Sequence, residues 1–306
     1  VGDGSVDDTA AIQAAIDAAE AAGGAVVVLP KGTYKLTSSL TIETDGVTLL
    51  GACKGAVKIV MSGAAATAVT VNANDVLFTD LSFDHVGATA AESGAAIFLE
   101  SGAYARIRNC QIEGGWYINV DVKDAYAWVI SESEVVDAIY AEVRNAAVEE
   151  PDRGDSSIHD CLIGTSGGTP YGILWESGGG LRIHNNKFLE HDVAIFANIA
   201  TGIATQNLLI ADNSIENCAT HAIHIKRAAG TPTLNMPIIV GNQIDVADGG
   251  TAHGIKIEVG SNLGVIQGNF VRTGSSGNGI DIGAGCDSYS IGGNALTGCA
   301  IGVKLG

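Results

Sequence analysis

Five copies of one short pattern decide the fold, and they read Ile183-His-Asn-Asn186-Lys-Phe188, Ile210-Ala-Asp-Asn213-Ser-Ile215, Ile239-Val-Gly-Asn242-Gln-Ile244, Ile266-Gln-Gly-Asn269-Phe-Val271 and Ile291-Gly-Gly-Asn294-Ala-Leu296. Their asparagines are separated by 27, 29, 27 and 25 residues. Each copy has an apolar residue three positions before its asparagine and another two positions after it. This near-constant spacing indicates an internal repeat, in which each copy is one structural unit stacked on the next.

Degenerate copies extend the repeat upstream, in Phe78–Phe83, Ile107–Ile112, Ile130–Val135 and Ile158–Ile163. The asparagine position holds Leu81, Cys110, Ser133 and Cys161 in these copies. Together with the first five they give a mean period of about 27 residues. We expect the asparagine to lie at a tight bend, where it tolerates left-handed backbone geometry and hydrogen-bonds to the next coil.

A second strand, in which apolar and polar residues alternate, recurs in every period. Its copies are Ala96–Glu100, Ile118–Val122, Ile139–Val143, Gly172–Glu176, Ala194–Asn198, Ala222–Lys226, Gly254–Glu258, Gly279–Gly283 and Ile301–Leu305. Each period therefore holds three short strands, and the repeats show no helical periodicity. This pattern predicts an all-β protein, a parallel β-solenoid of triangular section.

The N-terminal segment differs, because Asp7–Ala22 has helical periodicity and Gly23-Gly24 follows it. Its apolar stripe consists of Ile12, Ala15, Ile16 and Ala19. We expect a single β-helix domain over residues 1–306, with a helical cap in residues 1–24 and coils in residues 25–306. No matching C-terminal cap follows the last repeat, so we expect a fragment of a longer protein.

Composition excludes several classes of function. The chain has 34 acidic and 16 basic residues and a net charge of −18, which argues against nucleic-acid binding because that needs clustered Lys and Arg. Its longest apolar runs, such as Ala25–Pro30, are far shorter than the ~18 residues that span a membrane. The six cysteines show no metal-binding spacing and are expected to be buried free thiols. The sequence predicts no nucleic-acid partner, no membrane insertion and no metal site.

The N-terminal residues carry a resemblance to a known family. Gly2-Asp-Gly-Ser-Val-Asp-Asp-Thr-Ala-Ala-Ile-Gln-Ala-Ala-Ile-Asp17 and Gly23-Gly-Ala-Val-Val-Val-Leu-Pro-Lys-Gly-Thr-Tyr34 resemble the opening of pectate-lyase-like right-handed parallel β-helix proteins. Leu40-Thr-Ile42 and Gly46-Val-Thr-Leu-Leu-Gly51 continue that pattern. The resemblance implies a right-handed parallel β-helix, in a superfamily of polysaccharide lyases, glycoside hydrolases, uronan epimerases and phage tailspikes, which are typically trimers.

The resemblance does not assign catalytic residues. The polygalacturonase set of Asn-Thr-Asp, Asp-Asp, Gly-His-Gly and Arg-Ile-Lys is missing, as is the Asp-Pro-His motif of alginate epimerases. Candidate residues therefore come from the outward positions of the alternating strand. One column is predicted to run Phe98, Asn119, Tyr140, Leu174, Phe196, His224, Lys256, Asp281, and the other Glu100, Asp121, Glu142, Glu176, Asn198, Lys226, Glu258, Gly283.

The second column predicts a row of carboxylates spaced by the ~4.8 Å between adjacent coils. Like charges at that spacing raise at least one pKa, which suits a general acid. Glu142 and Glu176 are the predicted acid and nucleophile or base of a hydrolase, with Asp121 tuning them. A calcium ion held by the carboxylates is one alternative, and a solvated polar face without a site is another.

Aromatic and basic side chains surround this row. Tyr140 and Phe196 are predicted to stack on sugar rings, with Asn198 as a further substrate contact. The connections 144–156, 199–207 and 227–236 are long and would wall a groove. His224, Lys226 and Lys256 form the basic cluster that a lyase would need to remove a proton beside a carboxylate.

The sequence thus favours a carbohydrate-active protein that cleaves a polysaccharide. The main prediction is a phage tailspike depolymerase or secreted glycoside hydrolase, located outside the cell or on a virion surface. The alternatives are a non-catalytic glycan- or receptor-binding module, a polysaccharide lyase and a purely structural fibre. A polysaccharide is the expected partner, no cofactor is needed apart from the calcium alternative, and the tailspike resemblance implies a homotrimer.

Overall fold

The computed structural model describes residues 2–62, 67–86, 94–146, 155–165, 168–176, 179–199, 207–227, 234–246, 251–258 and 261–306. The chain divides into two compact units, Val1–Arg144 and Asn145–Gly306. The expectation of one domain over residues 1–306 stays a prediction.

The first unit begins with one helix among many short strands. Its elements are β1 (Asp3–Asp7), α1 (Thr9–Ala21), β2 (Val26–Leu29), β3 (Gly32–Leu36), β4 (Leu40–Ile42), β5 (Thr48–Gly51), β6 (Val57–Ser62), β7 (Val69–Asn72), β8 (Leu77–Thr79), β9 (Ser82–Val86), β10 (Ala95–Ala103), β11 (Arg106–Arg108), β12 (Gln111–Ile112), β13 (Ile118–Tyr126), β14 (Val129–Ser131), β15 (Glu134–Val136) and β16 (Ala141–Asn145), whose last residue opens the second unit.

All the regular elements described in the second unit are strands. They are β17 (Ser156–His159), β18 (Leu162–Gly164), β19 (Tyr171–Trp175), β20 (Leu181–His184), β21 (Lys187–Leu189), β22 (Val193–Ile199), β23 (Leu208–Ala211), β24 (Ser214–Cys218), β25 (His221–Arg227), β26 (Leu234–Asn235), β27 (Ile238–Val240), β28 (Gln243–Val246), β29 (His253–Ile257), β30 (Ser261–Asn262), β31 (Val265–Gln267), β32 (Phe270–Arg272), β33 (Asn278–Ile282), β34 (Ser290–Gly292), β35 (Ala295–Thr297) and β36 (Ile301–Leu305).

Both units build three parallel sheets, here named A, B and C. In the first unit sheet A is β1-β3-β6-β9-β12-β15, sheet B is β2-β5-β8-β11-β14 and sheet C is β4-β7-β10-β13-β16. In the second unit sheet A is β18-β21-β24-β28-β32-β35, sheet B is β17-β20-β23-β27-β31-β34 and sheet C is β19-β22-β25-β29-β33-β36. Strands β26 and β30 form a separate pair. Each coil contributes one strand to each sheet, so the prediction of a parallel β-solenoid with three strands per coil is confirmed.

The core consists of the inward residues of these strands stacked in register. In sheet C of the second unit Ile195 pairs with Ile223, Ile223 with Ile255 and Ile255 with Ile280. All four of these side chains are buried. Parallel in-register pairing places like residues on one another, so the sequence alternation reappears as apolar columns inside and polar columns outside. Burying one such isoleucine contributes about 1.5–3 kcal/mol.

The repeated asparagines form a buried ladder in the second unit. The amide Nδ2 of Asn213 donates to Oδ1 of Asn242 at 2.9 Å and to the carbonyl of Ile183 at 2.9 Å. Its own Oδ1 accepts from the backbone N–H and the Nδ2 of Asn186, both at 3.0 Å. The same pattern continues through Asn269 and Asn294. The predicted hydrogen bond to the next coil is confirmed for Asn186, Asn213, Asn242 and Asn269.

The left-handed residue of each bend is not the ladder asparagine but the residue before it. Positive φ angles occur at Asn185 (55°), Asp212 (54°), Gly241 (67°), Gly268 (66°) and Gly293 (63°). The degenerate copies follow the same rule, with positive φ at Asp80, Asn109, Glu132 and Asp160. Asn, Asp and Gly tolerate this region best, which explains why short polar residues and glycine recur at this position. The placement of left-handed geometry at the asparagine itself was wrong by one residue.

Helix α1 matches the predicted helical segment with slightly shorter bounds. Ile12, Ile16 and Ala19 are buried as expected, whereas Ala15 is exposed. The side chain of Asp7, not that of Asp8, accepts a hydrogen bond from the first turn of the helix. Its Oδ1 accepts from the backbone N–H of Thr9 at 3.0 Å. The helix contacts β2 and β4.

All six cysteines are free thiols. Cys110, Cys161 and Cys218 are buried, as expected, but Cys53 is exposed and the other two are half-buried. Burial raises the pKa of both Cys110 and Cys218 to about 12, so these two are inert packing residues.

Within the described ranges, the structure contains no helix with the length and apolar character of a transmembrane segment.

Candidate functional site

The outward face of sheet C in the first unit has a different register from the one expected. Phe98 pairs with Asp121 rather than with Asn119, and Leu99 pairs with Val122. The predicted column was therefore wrong by two residues at this coil, and Glu100 lies beside Lys123, whose Nζ is 3.5 Å from its carboxylate. The reason is the length of β10, Ala95–Ala103. Its alternating residues can be aligned with those of β13 in two registers, two residues apart, that both keep the apolar residues inward.

Glu142 is completely buried beneath this face. Its Oε2 accepts from the side-chain amide of Asn119 at 2.5 Å, and its Oε1 accepts from the backbone N–H of Ala138 at 3.2 Å. Asn119 is buried as well. The Glu142 carboxylate therefore satisfies the hydrogen-bond donors of Asn119 and Ala138. Its complete burial separates it from any ligand on the surface.

Asp121 and Arg144 form a bidentate ion pair on the same face. Nε and Nη2 of Arg144 donate to Oδ1 and Oδ2 of Asp121 at 2.9 and 2.7 Å. Tyr140 stacks on Tyr117 with ring centroids 5.0 Å apart and planes 3° from parallel. The structure thus pairs two predicted site residues, Asp121 and Tyr140, with an arginine and a tyrosine that the sequence analysis left out.

The outward face of sheet C in the second unit has the predicted register. Leu174, Phe196, His224, Lys256 and Asp281 pair in succession, and Lys304 continues the column. In the neighbouring column Asn198 pairs with Lys226, which is exposed. Glu176 is half-buried and belongs to this unit, whereas Glu142 belongs to the first.

An aromatic row leads along this column. The ring of Tyr171 stacks on Phe196 with centroids 5.3 Å apart, and Phe196 stacks on His224 at 4.8 Å. Burial and then the negative charges of Asp192 and Glu176 raise the pKa of Tyr171. Because Phe196 is stacked on both neighbours, the row presents ring edges rather than a free face, which makes a narrow apolar strip along the surface.

A cluster of three histidines, a lysine and two carboxylates continues this row, and we call it the histidine cluster. It consists of His221, His224, His253, Lys256, Glu258 and Asp281. Of these residues, His224 and Lys256 were predicted to act on substrate, and Glu258 and Asp281 were predicted only as outward positions of the two columns. His221 and His253 are the first residues of β25 and β29, and the two strands pair at these positions. A histidine at the same position of two consecutive repeats is the sequence signal that could have found them.

His224 and Lys256 share one carboxylate partner. Nε2 of His224 lies 3.1 Å from Oε1 of Glu258, and Nζ of Lys256 lies 3.4 Å from the same oxygen. Burial lowers the pKa of His224, and the Glu258 carboxylate opposes that shift. Burial acts to raise the pKa of Glu258, but the charges of the His224 and Lys256 side chains outweigh it and hold that pKa below its ordinary value. Since an ionised carboxylate only accepts, Nε2 of His224 is the donor and Nδ1 is its basic nitrogen.

The two other histidines are neutral for the same reason. Burial, helped by the nearby charges of His224 and Lys256, lowers the pKa of His221 to about 3. Burial also lowers the pKa of His253, which stacks on His221 at 5.1 Å. Nδ1 of His253 accepts from the backbone N–H of Asn278 at 2.9 Å, so its Nε2 carries the hydrogen. The histidine cluster therefore offers neutral imidazoles beside an ammonium group.

No group of three or more His, Cys, Asp or Glu residues in the described part of the chain is arranged to hold a metal ion. The calcium alternative stays a prediction. The predicted groove walls include residues 147–154, 200–206 and 228–233, which lie outside the described residues.

Comparison with known proteins provides a family match. A profile of the family described as rhamnogalacturonase A/epimerase, pectate-lyase-like, matches residues 1–230. Mannuronan C5-epimerase AlgE3 of Azotobacter vinelandii is 50% identical over 68 residues, which cover 20% of this chain and 4% of that protein. Alginate lyase 7 of the same organism is 46% identical over 68 residues, which cover 22% of this chain and 8% of that protein. The match thus spans less than a tenth of the length of either relative.

Solved structures share the fold at low sequence identity. The tailspike protein of E. coli bacteriophage HK620, in complex with a pentasaccharide, has a TM-score of 0.73 at 13% identity and covers 99% of this chain and 62% of that one. A mutant DFA-IIIase of Arthrobacter chlorophenolicus A6, in complex with DFA-III, has a TM-score of 0.74 at 14% identity and covers 97% and 82%. Identities this low show a common parallel β-helix fold alone.

Proposed function

The chain belongs to the rhamnogalacturonase A/epimerase, pectate-lyase-like family, a carbohydrate-active β-helix family, and on this premise we propose that it removes the proton beside the carboxyl group of a uronic-acid polysaccharide. This step, at C5 of the sugar, is shared by uronan lyases and uronan epimerases. The observation that carries the proposal is the histidine cluster, in which neutral His224 and cationic Lys256 share Glu258. The partial matches to a mannuronan epimerase and an alginate lyase support the same substrate class.

The reaction needs a base and a cation at adjacent positions. In the proposed mechanism Nδ1 of His224 takes the C5 proton, while Glu258 fixes the ring by accepting from Nε2. The ammonium group of Lys256 binds the uronate carboxylate and stabilises the negative charge that develops when the proton leaves. Phe196 and Tyr171 support the sugar ring, and Asn198 and Lys226 hold the neighbouring uronate.

The lowered pKa of His224 suits this role. A base must be unprotonated to act, and burial keeps His224 neutral at pH values where an exposed histidine is partly charged. The active fraction therefore rises with pH through a midpoint below the ordinary pKa of 6.5.

The decisive experiment follows solvent deuterium at C5. The protein is incubated in D2O with mannuronan and, separately, with polygalacturonate, and NMR detects exchange while ultraviolet absorbance detects unsaturated uronates. We expect exchange or absorbance with at least one polymer, and a loss of about 10²-fold or more in His224→Gln, the usual contribution of a general base. Lys256→Gln is expected to lower the rate as well.

A matched lysine serves as the control. Lys187 lies 3.4 Å from Glu216, the same separation as Lys256 and Glu258, but on sheet A. Lys187→Gln therefore removes a comparable surface ion pair without touching the histidine cluster, and its rate should equal that of the native protein. Equal activity of His224→Gln and native protein would contradict the proposal.

Hydrolysis by Glu142 and Glu176, tuned by Asp121, is the second candidate. The rhamnogalacturonase in the family description favours it, whereas the complete burial of Glu142 disfavours it. The same incubations decide between the two, because a hydrolase releases reducing ends without unsaturated uronates or C5 deuterium. In that case Glu142→Gln and Glu176→Gln would each abolish the release.

The proposal also includes a location and an assembly. We place the protein outside the cell or on a virion surface, where polysaccharide substrates occur, as the tailspike likeness supports. A homotrimer is part of the same proposal, and the mass in solution, measured by light scattering, tests it.

A further inference from the structure

A pocket of about 200 Å³ opens on sheet C of the first unit. Its lining includes two aromatic rings and two charged groups, and consists of Thr67, Gly94, Ala95, Phe98, Tyr117, Ile118, Asp121 and Arg144. Pockets for drug-sized ligands are usually ~300–1,000 Å³, so this one has room for a single small ring. The proton-abstraction proposal makes no use of it.

The polar groups of the pocket are held rigidly. Two parallel hydrogen bonds of 2.9 and 2.7 Å join Arg144 to Asp121, and the Asp121 side chain is 12% exposed. An ionised carboxylate has about four acceptor sites, and the arginine occupies two. Asp121 can thus still accept hydrogen bonds from two adjacent hydroxyl groups of a ligand.

The aromatic side of the pocket is held as firmly. Tyr117 lines the pocket and is stacked face to face on Tyr140, so one of its faces is already covered. Phe98 pairs with Asp121 across β10 and β13, so an aromatic ring stands directly beside the carboxylate. An apolar wall next to a hydroxyl-accepting carboxylate matches the two sides of a pyranose ring, which presents C–H groups on its faces and hydroxyl groups on its rim.

The charge of the pocket selects against an acidic sugar. Asp121 already compensates the guanidinium charge of Arg144. A uronate carboxylate entering here would approach Asp121, and two carboxylates a few ångströms apart repel each other strongly in a half-buried site. A neutral sugar meets no such penalty.

We propose that this pocket binds one neutral pyranose residue of a glycan, with Asp121 accepting its hydroxyl groups and Phe98 and Tyr117 packing on its faces. Asp121 is then a specificity residue that distinguishes neutral from acidic sugars, rather than a residue that tunes Glu142. The inference stands on the first unit alone and does not rest on the chemistry proposed for the histidine cluster.

The test measures binding of methyl glycosides by ligand-observed NMR. The probes are methyl glycosides of glucose, galactose, mannose and rhamnose, with methyl glucuronide as the acidic counterpart of the glucoside. We expect the native protein to bind at least one neutral glycoside and to bind the glucuronide more weakly than the glucoside. Asp121→Asn should weaken the neutral probe about tenfold, the effect of one charge-assisted hydrogen bond. It should strengthen the glucuronide, because the negative charge of Asp121 that repels the uronate carboxylate is removed.

Two further variants complete the design. Phe98→Ala removes a half-buried wall of the pocket without breaking the ion pair, so it should also weaken the neutral probe. Phe270→Ala removes an exposed phenylalanine of β32 in the second unit and should leave binding unchanged. Failure of every neutral glycoside to bind, tighter binding of the glucuronide by native protein, or full binding by both Asp121→Asn and Phe98→Ala would overturn the proposal. His224→Gln should bind the probes normally, which separates this result from the fate of the proposed reaction.

Discussion

Single polar side chains maintain the spacing between coils in this protein. Each ladder asparagine satisfies backbone and side-chain groups of the coils on both sides, as Asn213 does with Asn186, Asn242 and Ile183. Glu142 performs a similar task for Asn119 and Ala138 in the first unit. Buried polar groups need such partners, because an unsatisfied one costs about 1–3 kcal/mol.

Replacement of Asn213 tests the ladder. Asn213→Ala leaves the buried backbone N–H of Asn186 and the carbonyl of Ile183 without their partners, so we expect a loss of about 1–3 kcal/mol of unfolding free energy for each unsatisfied group. Denaturant unfolding measures it. Asn294→Ala is the matched control, because Asn294 occupies the same ladder but is half-buried, and its loss should be smaller. Equal losses would show that burial does not set the energy of the ladder.

At the scale of the element, close contact between coils restricts which residues can occupy a strand. Gly102 in β10 has a φ of 106°, and a Cβ there would lie 2.2 Å from the carbonyl oxygen of Ala73. The strand passes the preceding coil so closely that no side chain fits. The same tight stacking produces the columns of sheet C, in which His224, Lys256 and Asp281 become neighbours.

Substitutions at Gly102 and Gly55 distinguish the cost of a positive φ angle from the cost of a steric contact. Gly102→Ala should destabilise by about 1–3 kcal/mol from its φ angle and by a further amount from the contact with Ala73. Gly55 also has a positive φ, 81°, but no atom lies within 4 Å of the place that a Cβ would take there, so Gly55→Ala shows the effect of φ alone. Thermal or denaturant unfolding of both variants measures the difference. A Gly102→Ala protein as stable as Gly55→Ala would contradict the close approach.

At the scale of the whole molecule, protonation of a few residues couples the stability of the fold to pH. The pKa of His221 is lowered to about 3 by burial, while the unfolded chain retains the ordinary value of 6.5. Between these two values the unfolded state binds more protons than the folded state, so stability increases with pH. The contribution is complete above pH 6.5 and is lost as the pH falls toward 3.

The pH dependence of unfolding checks this sign. We expect the unfolding free energy of the native protein to fall steadily from pH 6.5 to pH 3, and that of His221→Gln to fall less over the same range, because glutamine does not titrate. The groups that face His221 are His224, His253, Lys256 and Glu258, and all remain in the variant. The carboxyl groups of Asp3 and Asp7, with pKa values lowered to about 2 by hydrogen bonds, add an acid-induced loss below pH 4 in both proteins. Parallel pH profiles would exclude His221 as a source of the slope.

The sequence alone determined the architecture. A period of about 27 residues, with an apolar residue at fixed distances from each asparagine, can be satisfied only by stacked coils of short strands, and the cap helix followed from its own 3.6-residue periodicity. The asparagine ladder was equally predictable, since a polar residue repeated at one position of a solenoid can bond only to its own copies. In the second unit strict repetition also specified the register, so the column from Leu174 to Asp281 was predicted correctly.

Only the tertiary structure decided the partners of the candidate site residues. Along a strand, a shift of two residues keeps the same face outward, so the sequence could not distinguish Asn119 from Asp121 as the neighbour of Phe98. The sequence also could not predict the burial of Glu142. This residue occupies a polar, outward position of the alternation, and yet its side chain is completely buried. The histidine cluster depends on residues from separate coils, and their distances are set by how those coils stack, not by the pattern within any one of them.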